Sequence, residues 1–403
     1  KNATELDVST VTMTADTGGT TTLKVVGADT FHASGAITAS VIDFSGLTAA
    51  AATVNTANMG AAAVGVTSIT GSPGKDILVG DAKSTIEGGA GNDTITGGSG
   101  NDTLHGDAGN DTITTNAGND TVKGGDGNDT IVFAGNLTAA DKVDGGDGTD
   151  TISLANASLT ALQALSISDA NLFNANFSSI ETLTVSDSLN STGGDFDLGY
   201  LSGVSTVKLG ALTSAQVLDG FSSGNSLHLT AATGQGLTAK VNTSAAGSAD
   251  VLNVSLTEGA DTDYNALTVA NVETLNINVT EDTAGGNAAS RTATIGLTIS
   301  QTTAAAGGSG AAQSVVITGS EDITIDTAVA VATIDASGMS ARLATTPGLV
   351  MTGAAHTKAQ TITGSSGADT IVGSTKADTI STGAGNDTIT GGLGADTIDG
   401  GTG

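Results

Sequence analysis

Between residues 88 and 132 the chain repeats one small pattern: a polar residue, an aliphatic one, then usually another polar one. The steps are Thr94-Ile95-Thr96, Thr103-Leu104-His105, Thr112-Ile113-Thr114, Thr121-Val122-Lys123 and Thr130-Ile131-Val132. Alternation with a period of two predicts a strand with one face buried. The buried step returns every nine residues. Nine residues leave room for a very short strand and one turn, so two such units are needed to close a coil. Turns two units apart then stack about 4.8 Å from one another, the spacing of neighbouring strands in a sheet.

What lies between the strands is equally regular. From Gly88 the chain reads GGAGNDTIT, then GGSGNDTLH from Gly97, GDAGNDTIT from Gly106, TNAGNDTVK from Thr115 and GGDGNDTIV from Gly124, five consecutive copies. GGDGTDTIS follows an insertion at Gly145, and TGAGNDTIT (Thr382) and GGLGADTID (Gly391) come near the end. Degenerate copies start at Gly71 (GSPGKDILV), Gly364 (GSSGADTIV) and Gly373 (GSTKADTIS). The copy at Gly80, GDAKSTIE, is one residue short and is read with Thr85 at the acidic position, so no full metal site is expected there. Glycine permits the positive φ that a tight turn needs.

The sixth position of each good copy is aspartate. This gives the candidate metal ligands Asp76, Asp93, Asp102, Asp111, Asp120, Asp129, Asp150, Asp369, Asp378, Asp387 and Asp396. Stacking places these carboxylates in a column along each edge. Like charges a few ångströms apart repel by about 1 kcal/mol even in bulk water. A hard divalent cation between turns removes that repulsion. Ca²⁺ suits a mixture of carboxylates and turn carbonyls better than Mg²⁺, which demands a tight octahedron. The competing reading is a flexible Gly/Asp-rich linker, which would not keep the aliphatic eighth position.

Between 154 and 362 the nines vanish and apolar–x–apolar pairs take over: Leu183/Val185, Val207/Leu209, Leu227/Leu229, Leu252/Val254, Leu275/Ile277, Leu297/Ile299 and Val315/Ile317. Their spacing near 22 residues predicts one coil of a β-solenoid per pair, with a β-sandwich as the alternative. The phrases IETLTV (180–185) and VETLNINV (272–279) read as one rung used twice. A longer repeat overlies this one. FSGLT at Phe44 returns as ASGMS at Ala336, and ITGSPGKDILVG at Ile69 as ITGSSGADTIVG at Ile362, offsets of 292 and 293. The expected order is a solenoid segment over 1–70, a calcium roll over 71–153, a solenoid domain over 154–362 and a second calcium roll over 363–403. A chain that starts at Lys1 and stops inside a repeat at Gly403 is expected to be a piece of a longer protein.

Composition sharpens this picture. Aromatic residues are 2% of the 403, and Trp and Cys are absent. The core must therefore be built from small aliphatic side chains, which suits stacked layers. Lack of Cys excludes disulfides and thiolate metal sites. A net charge of −29 disfavours nucleic acid and anionic membranes as partners. No apolar run is long enough to span a membrane.

The nonapeptide resembles the RTX (repeats-in-toxin) family, whose GGxGxDxUx repeat forms a calcium-loaded parallel β-roll. The GGDGTDTISL at Gly145 and the two ETL rungs are similar to RTX surface-layer proteins of the Caulobacter type. The resemblance implies an all-β, elongated chain in which β-roll segments alternate with right-handed parallel β-helix segments. It also implies several Ca²⁺ ions, calcium-triggered folding outside the cell after type I export from a Gram-negative bacterium, and self-association into a lattice or filament at the cell surface. Anchoring to an outer-membrane glycolipid would then use regions beyond this sequence.

No enzyme is expected. His32, His105, His228 and His356 fall in no metal-binding spacing, and no GxSxG elbow is found. The acidic pairs Asp195/Asp197 and Asp261/Asp263 lack the aromatic residues of a sugar cleft, although Asp261 and Asp263, read as a loop, could hold a further calcium. The expected role is a structural surface-layer or filament subunit. The alternatives are an extender of a large RTX adhesin and the non-catalytic part of a secreted RTX enzyme.

Overall fold

Strands of two to nine residues follow one another along the chain, and each pairs with a strand about one coil away in sequence. The computed structural model describes residues 5–8, 11–12, 21–27, 30–33, 37–47, 54–55, 67–133, 137–158, 175–186, 196–201, 203–231, 235–241, 250–258, 262–281, 292–300, 313–327, 329, 331–340, 347–351 and 358–403. They fall into two units, residues 1–184 with 200–204, and residues 185–199 with 205–403.

In the first unit two parallel faces run side by side along the chain. One face takes Ile77–Val79, Thr94–Thr96, Thr112–Thr114, Thr130–Phe133 and Thr151–Leu154 in turn, with Ile95, Ile113, Ile131 and Ile152 in register. The other takes Ser68–Thr70, Thr85–Ala90, Thr103–Ala108, Thr121–Asp126 and Lys142–Asp147, with Ile69, Ile86, Leu104, Val122 and Val143 in register. All nine of these aliphatic residues are 2% exposed or less. The eighth position of the nonapeptide thus supplies one core side chain per half-coil, and Phe133, Leu137 and Leu154 are buried beside them. Burying each contributes about 1.5–3 kcal/mol, which only many coils can sum to a stable fold. Upstream, Val41–Leu47 and Thr22–Gly27 continue the second face without a change of direction.

The second unit has the same plan with longer rungs. One face stacks Val251–Glu258, Thr274–Glu281, Ser314–Gly319, Thr333–Met339, Thr361–Thr363 and Thr379–Ser381, so Leu252, Leu275, Val315, Ile334, Ile362 and Ile380 form one column. The other face stacks Leu237–Val241, Thr262–Ala270, Thr292–Ser300, Asp322–Ile325, Pro347–Met351 and Ala368–Val372. On the first face solenoid coils therefore pass into nonapeptide coils in unbroken register, whereas on the other a register shift falls between Pro347 and Val350. These pairings are parallel, whereas a sandwich is built from antiparallel hairpins and Greek keys; the fold is a parallel β-roll and solenoid.

Two expectations need correction. Leu297 and Ile299 do not belong to the column of Leu275 and Val315. They lie on the opposite face against Leu267 and Val269. The spacing near 22 residues mixed both faces, and on one face Leu275 meets Val315 directly. Asp263 is likewise no loop residue, since it sits inside the strand Thr262–Ala270; Asp261 lies outside the described residues.

The long repeat is visible in backbone detail. In Val41–Leu47 the register slips so that Gly46 pairs with Val26, and Ser45 donates its N–H to Asp43 Oδ1 at 2.9 Å. In Thr333–Met339 the same slip pairs Gly338 with Thr318, and Ser337 donates to Asp335 Oδ1 at 3.0 Å. A β-bulge kept at an offset of 292 is a repeated structural device and not a coincidence of composition.

Candidate metal centre

Each aspartate at the sixth position sits between a glycine turn and the strand it feeds, where its side chain turns back into the coil. Asp76, Asp93, Asp102, Asp111, Asp120, Asp129, Asp150, Asp369 and Asp378 are all buried, at 2% exposure or less. Asp387 and Asp396, in the last coils, are only partly covered. The carboxylates are thus inside the turns, and one oxygen of each has a fixed task. Asp93 N–H donates to Asp111 Oδ1 at 2.7 Å, Asp111 N–H to Asp129 Oδ1 at 2.7 Å and Asp129 N–H to Asp150 Oδ1 at 2.8 Å. The other edge repeats this from Asp102 to Asp120, and the second block from Asp369 to Asp387 and from Asp378 to Asp396. Each of these coils is therefore pinned by a carboxylate of the coil that follows it.

Three members of this system escaped the sequence reading. Asp141 is fully buried and accepts the Asp120 N–H at 2.7 Å, 21 residues away instead of 18. The insertion before it hides the nonapeptide frame. Ser84, not Thr85, occupies the acidic position of the short copy, because Thr85 pairs with Thr103 and so sets Ser84 beside Asp102, whose Oδ1 receives the Ser84 N–H. The fifth-position asparagines form a second series with the opposite sense: Asn110 N–H donates to Asn92 Oδ1 and Asn128 N–H to Asn110 Oδ1, both at 2.9 Å. The ETL rungs obey the rule of the aspartates. Glu181 Oε2 accepts the Asp150 N–H at 2.8 Å, and Glu273 Oε2 the Asp250 N–H at 2.9 Å. ETL is thus the DTI rung with a longer acid.

The second carboxylate oxygen is where a ligand belongs. Oδ2 of Asp93, Asp111, Asp129, Asp150 and Asp387 is buried without a hydrogen-bond partner. Leaving a charged acceptor so is costly. The missing side chain of the first glycine leaves a cradle beside it. A Cβ on Gly88 would stand 2.6 Å from Asp93 Oδ2 and 2.5 Å from the carbonyl oxygen of Gly106, and a Cβ on Gly106 would collide with Asp111 Oδ2 and the carbonyl of Gly124. A carboxylate oxygen and a carbonyl of the next coil thus face one gap. Among the described residues no three acidic or imidazole side chains converge on a point. The donor set is one carboxylate per turn completed by backbone carbonyls, all hard oxygens, and it fits Ca²⁺. The ion would supply the positive charge that the buried oxygens lack.

Electrostatics agree. Burial, followed by neighbouring carboxylates, pushes Asp93 up to about 7, and Asp120, Asp129 and Asp150 up to about 6. Burial also raises Asp102, Asp111, Asp141 and Asp369. These carboxyls hold protons in the ion-free fold that the unfolded chain releases near the ordinary aspartate value of 3.8. The folded state then binds more protons, so ion-free stability falls as pH rises between about 4 and about 7. Thermal unfolding in excess EGTA should show the higher midpoint at the acid end; a midpoint that climbs with pH contradicts this.

The histidines hold no metal cluster among the described residues. His228 contacts Thr257 Oγ1 through Nε2 at 2.6 Å, and burial lowers its basicity. His105 is half-buried in Thr103–Ala108. His356, Asp195 and the side chains of His32, Tyr200 and Asp263 lie outside the described residues.

A comparison with known protein families matches the RTX calcium-binding nonapeptide repeat (4 copies) at residues 83–113, 105–135, 138–156, 359–375 and 372–403. No curated protein matches the chain. RTX nonapeptide repeats bind calcium, and the matched segments contain the buried aspartates above, apart from Asp76.

Proposed function

Because this chain carries RTX calcium-binding repeats in both of its units, we propose that it is a non-enzymatic building element of an extracellular, calcium-dependent surface layer or filament. RTX repeat proteins are typically secreted, and no helix among the described residues is long and apolar enough to cross a membrane. The observation that carries the proposal is the module repeated at an offset of 292, kept down to the Gly46 and Gly338 bulges. A protein gains reach and regular spacing from repeating a scaffold of this kind, and calcium sets its rigidity. The surface is strongly acidic, so calcium would also bridge copies that otherwise repel.

Electron microscopy of the purified chain, with millimolar calcium and with EGTA, tests this. Sheets or periodic filaments that disperse in EGTA are expected. Isolated rods at every calcium concentration would replace the lattice reading with that of an adhesin spacer.

A further inference from the structure

Eight of the nonapeptide turns fall into two chemical classes, set by the second residue of the turn; the turn leading to Asp102 belongs to neither, since Gly98 is not left-handed and donates its N–H to Asp102 Oδ2 at 2.6 Å without a serine hydroxyl. In the turns leading to Asp93, Asp111, Asp129, Asp150 and Asp387 that residue is left-handed: Gly89 (φ 101°), Asp107 (φ 70°), Gly125 (φ 120°), Gly146 (φ 107°) and Gly383 (φ 93°). These are the turns whose Oδ2 has no partner. In the turns leading to Asp76, Asp369 and Asp378 the second residue is a serine, none of them left-handed. Its N–H then points at its own aspartate: Ser72 N–H to Asp76 Oδ2 at 2.6 Å, Ser365 N–H to Asp369 Oδ2 at 2.8 Å and Ser374 N–H to Asp378 Oδ2 at 2.6 Å. The hydroxyl donates to the other oxygen, at 2.8, 2.7 and 2.8 Å in the same order. It also accepts an N–H from two residues on: Gly74, Gly367 and Lys376.

We propose that these serine turns are calcium-free caps, and that the ions are confined to the open turns, of which Asp93, Asp111, Asp129 and Asp150 form one continuous row. A serine-closed carboxylate already has donors on both oxygens. An ion there would have to displace a hydroxyl and a backbone N–H. The positions of the caps give the arrangement a purpose. Ser72 closes the first turn on its edge of the first roll, and Ser365 and Ser374 close the first turns on the two edges of the second. At these places the coil before is solenoid, without a glycine turn to share an ion. Ser84 fills the remaining entry by replacing the acid itself and accepting the Asp81 N–H at 2.9 Å. Each roll thus begins with hydrogen-bonded turns, much as serine closes the start of a helix, and on the Ser72 and Ser365 edges the next turn in is an open one, at Asp93 and Asp387.

The assignment rests on the calcium reading above, and one experiment separates their failures. Calcium bound per full-length chain is counted by equilibrium dialysis for the unaltered protein and for Asp111→Asn, Asp369→Asn and the double variant Ser365→Gly/Ser374→Gly. Asp111→Asn should lose bound calcium, Asp369→Asn should keep the unaltered count, and the double variant should gain ions. Equal losses in Asp111→Asn and Asp369→Asn overturn the assignment while leaving calcium binding intact. An unaltered chain that binds no calcium overturns the calcium reading itself. Because a variant can misfold, hydrogen exchange of the unaltered chain gives an independent reading. In EGTA the amides of Ser365 and Ser374 should stay protected while those of Gly109 and Gly127 exchange freely. Equal loss of protection at both sets also overturns it.

Discussion

Removing calcium with excess EGTA should unfold the coils between residues 88 and 153. Four buried aspartates on one edge, Asp93, Asp111, Asp129 and Asp150, each have an oxygen without a donor. Leaving an ionised carboxylate buried and uncompensated costs several kcal/mol. The opposing term is small, because each half-coil contributes one aliphatic core residue worth about 1.5–3 kcal/mol before the entropy of ordering nine residues is subtracted. The ion-free roll therefore has no surplus at neutral pH. Far-UV circular dichroism should lose a large part of its β signal in EGTA and regain it on adding calcium. A spectrum unchanged by the chelator would end the calcium account of the fold.

Asp111→Ala should have the largest effect of any single substitution in the roll. Two losses coincide there. The Asp93 N–H is left buried without an acceptor, which alone costs roughly 1–3 kcal/mol. The oxygen facing the gap beside Gly106 also disappears. Asp111→Asn separates the two, since an amide oxygen can still receive the Asp93 N–H but carries no charge. In calcium both variants should melt below the unaltered chain, with alanine lower. In EGTA the order should change, with Asp111→Asn at or above the unaltered chain, because a buried charge has been removed. Two variants that melt together in both solutions would show that charge plays no part.

Much of this was legible in the chain. The nonapeptide names its core residue and its buried acid outright, because each position has one job and the turn has no room for alternatives. Ile95, Ile113 and Ile131 are fully buried where the period put them. The paired ETL phrases were recognisable as one rung, although their role as acceptors for Asp150 and Asp250 depends on a contact made a whole coil away. What was hidden follows from insertions. Three extra residues ahead of Asp141 lengthen its separation from Asp120 to 21, so the acid still meets the Asp120 N–H while the sequence frame is lost. In the middle of the chain both faces carry similar Leu and Val pairs, and period alone does not tell one face from the other. The asparagine series was overlooked because the neighbouring acid drew all the chemistry to itself.

The asparagines and aspartates reach in opposite directions along the stack. The N–H of Asp93 waits for Asp111, which lies 18 residues later, whereas Asn110 uses Asn92 from the coil already laid down. A growing roll thus always has a finished side and an unfinished one. Its newest coil is secured to its predecessor by amides, yet its acidic backbone donors stay open until a further 18 residues have arrived. Assembly on such a template has a direction, and losing a single nonapeptide, as opposed to a pair, would swap the two edges for everything downstream.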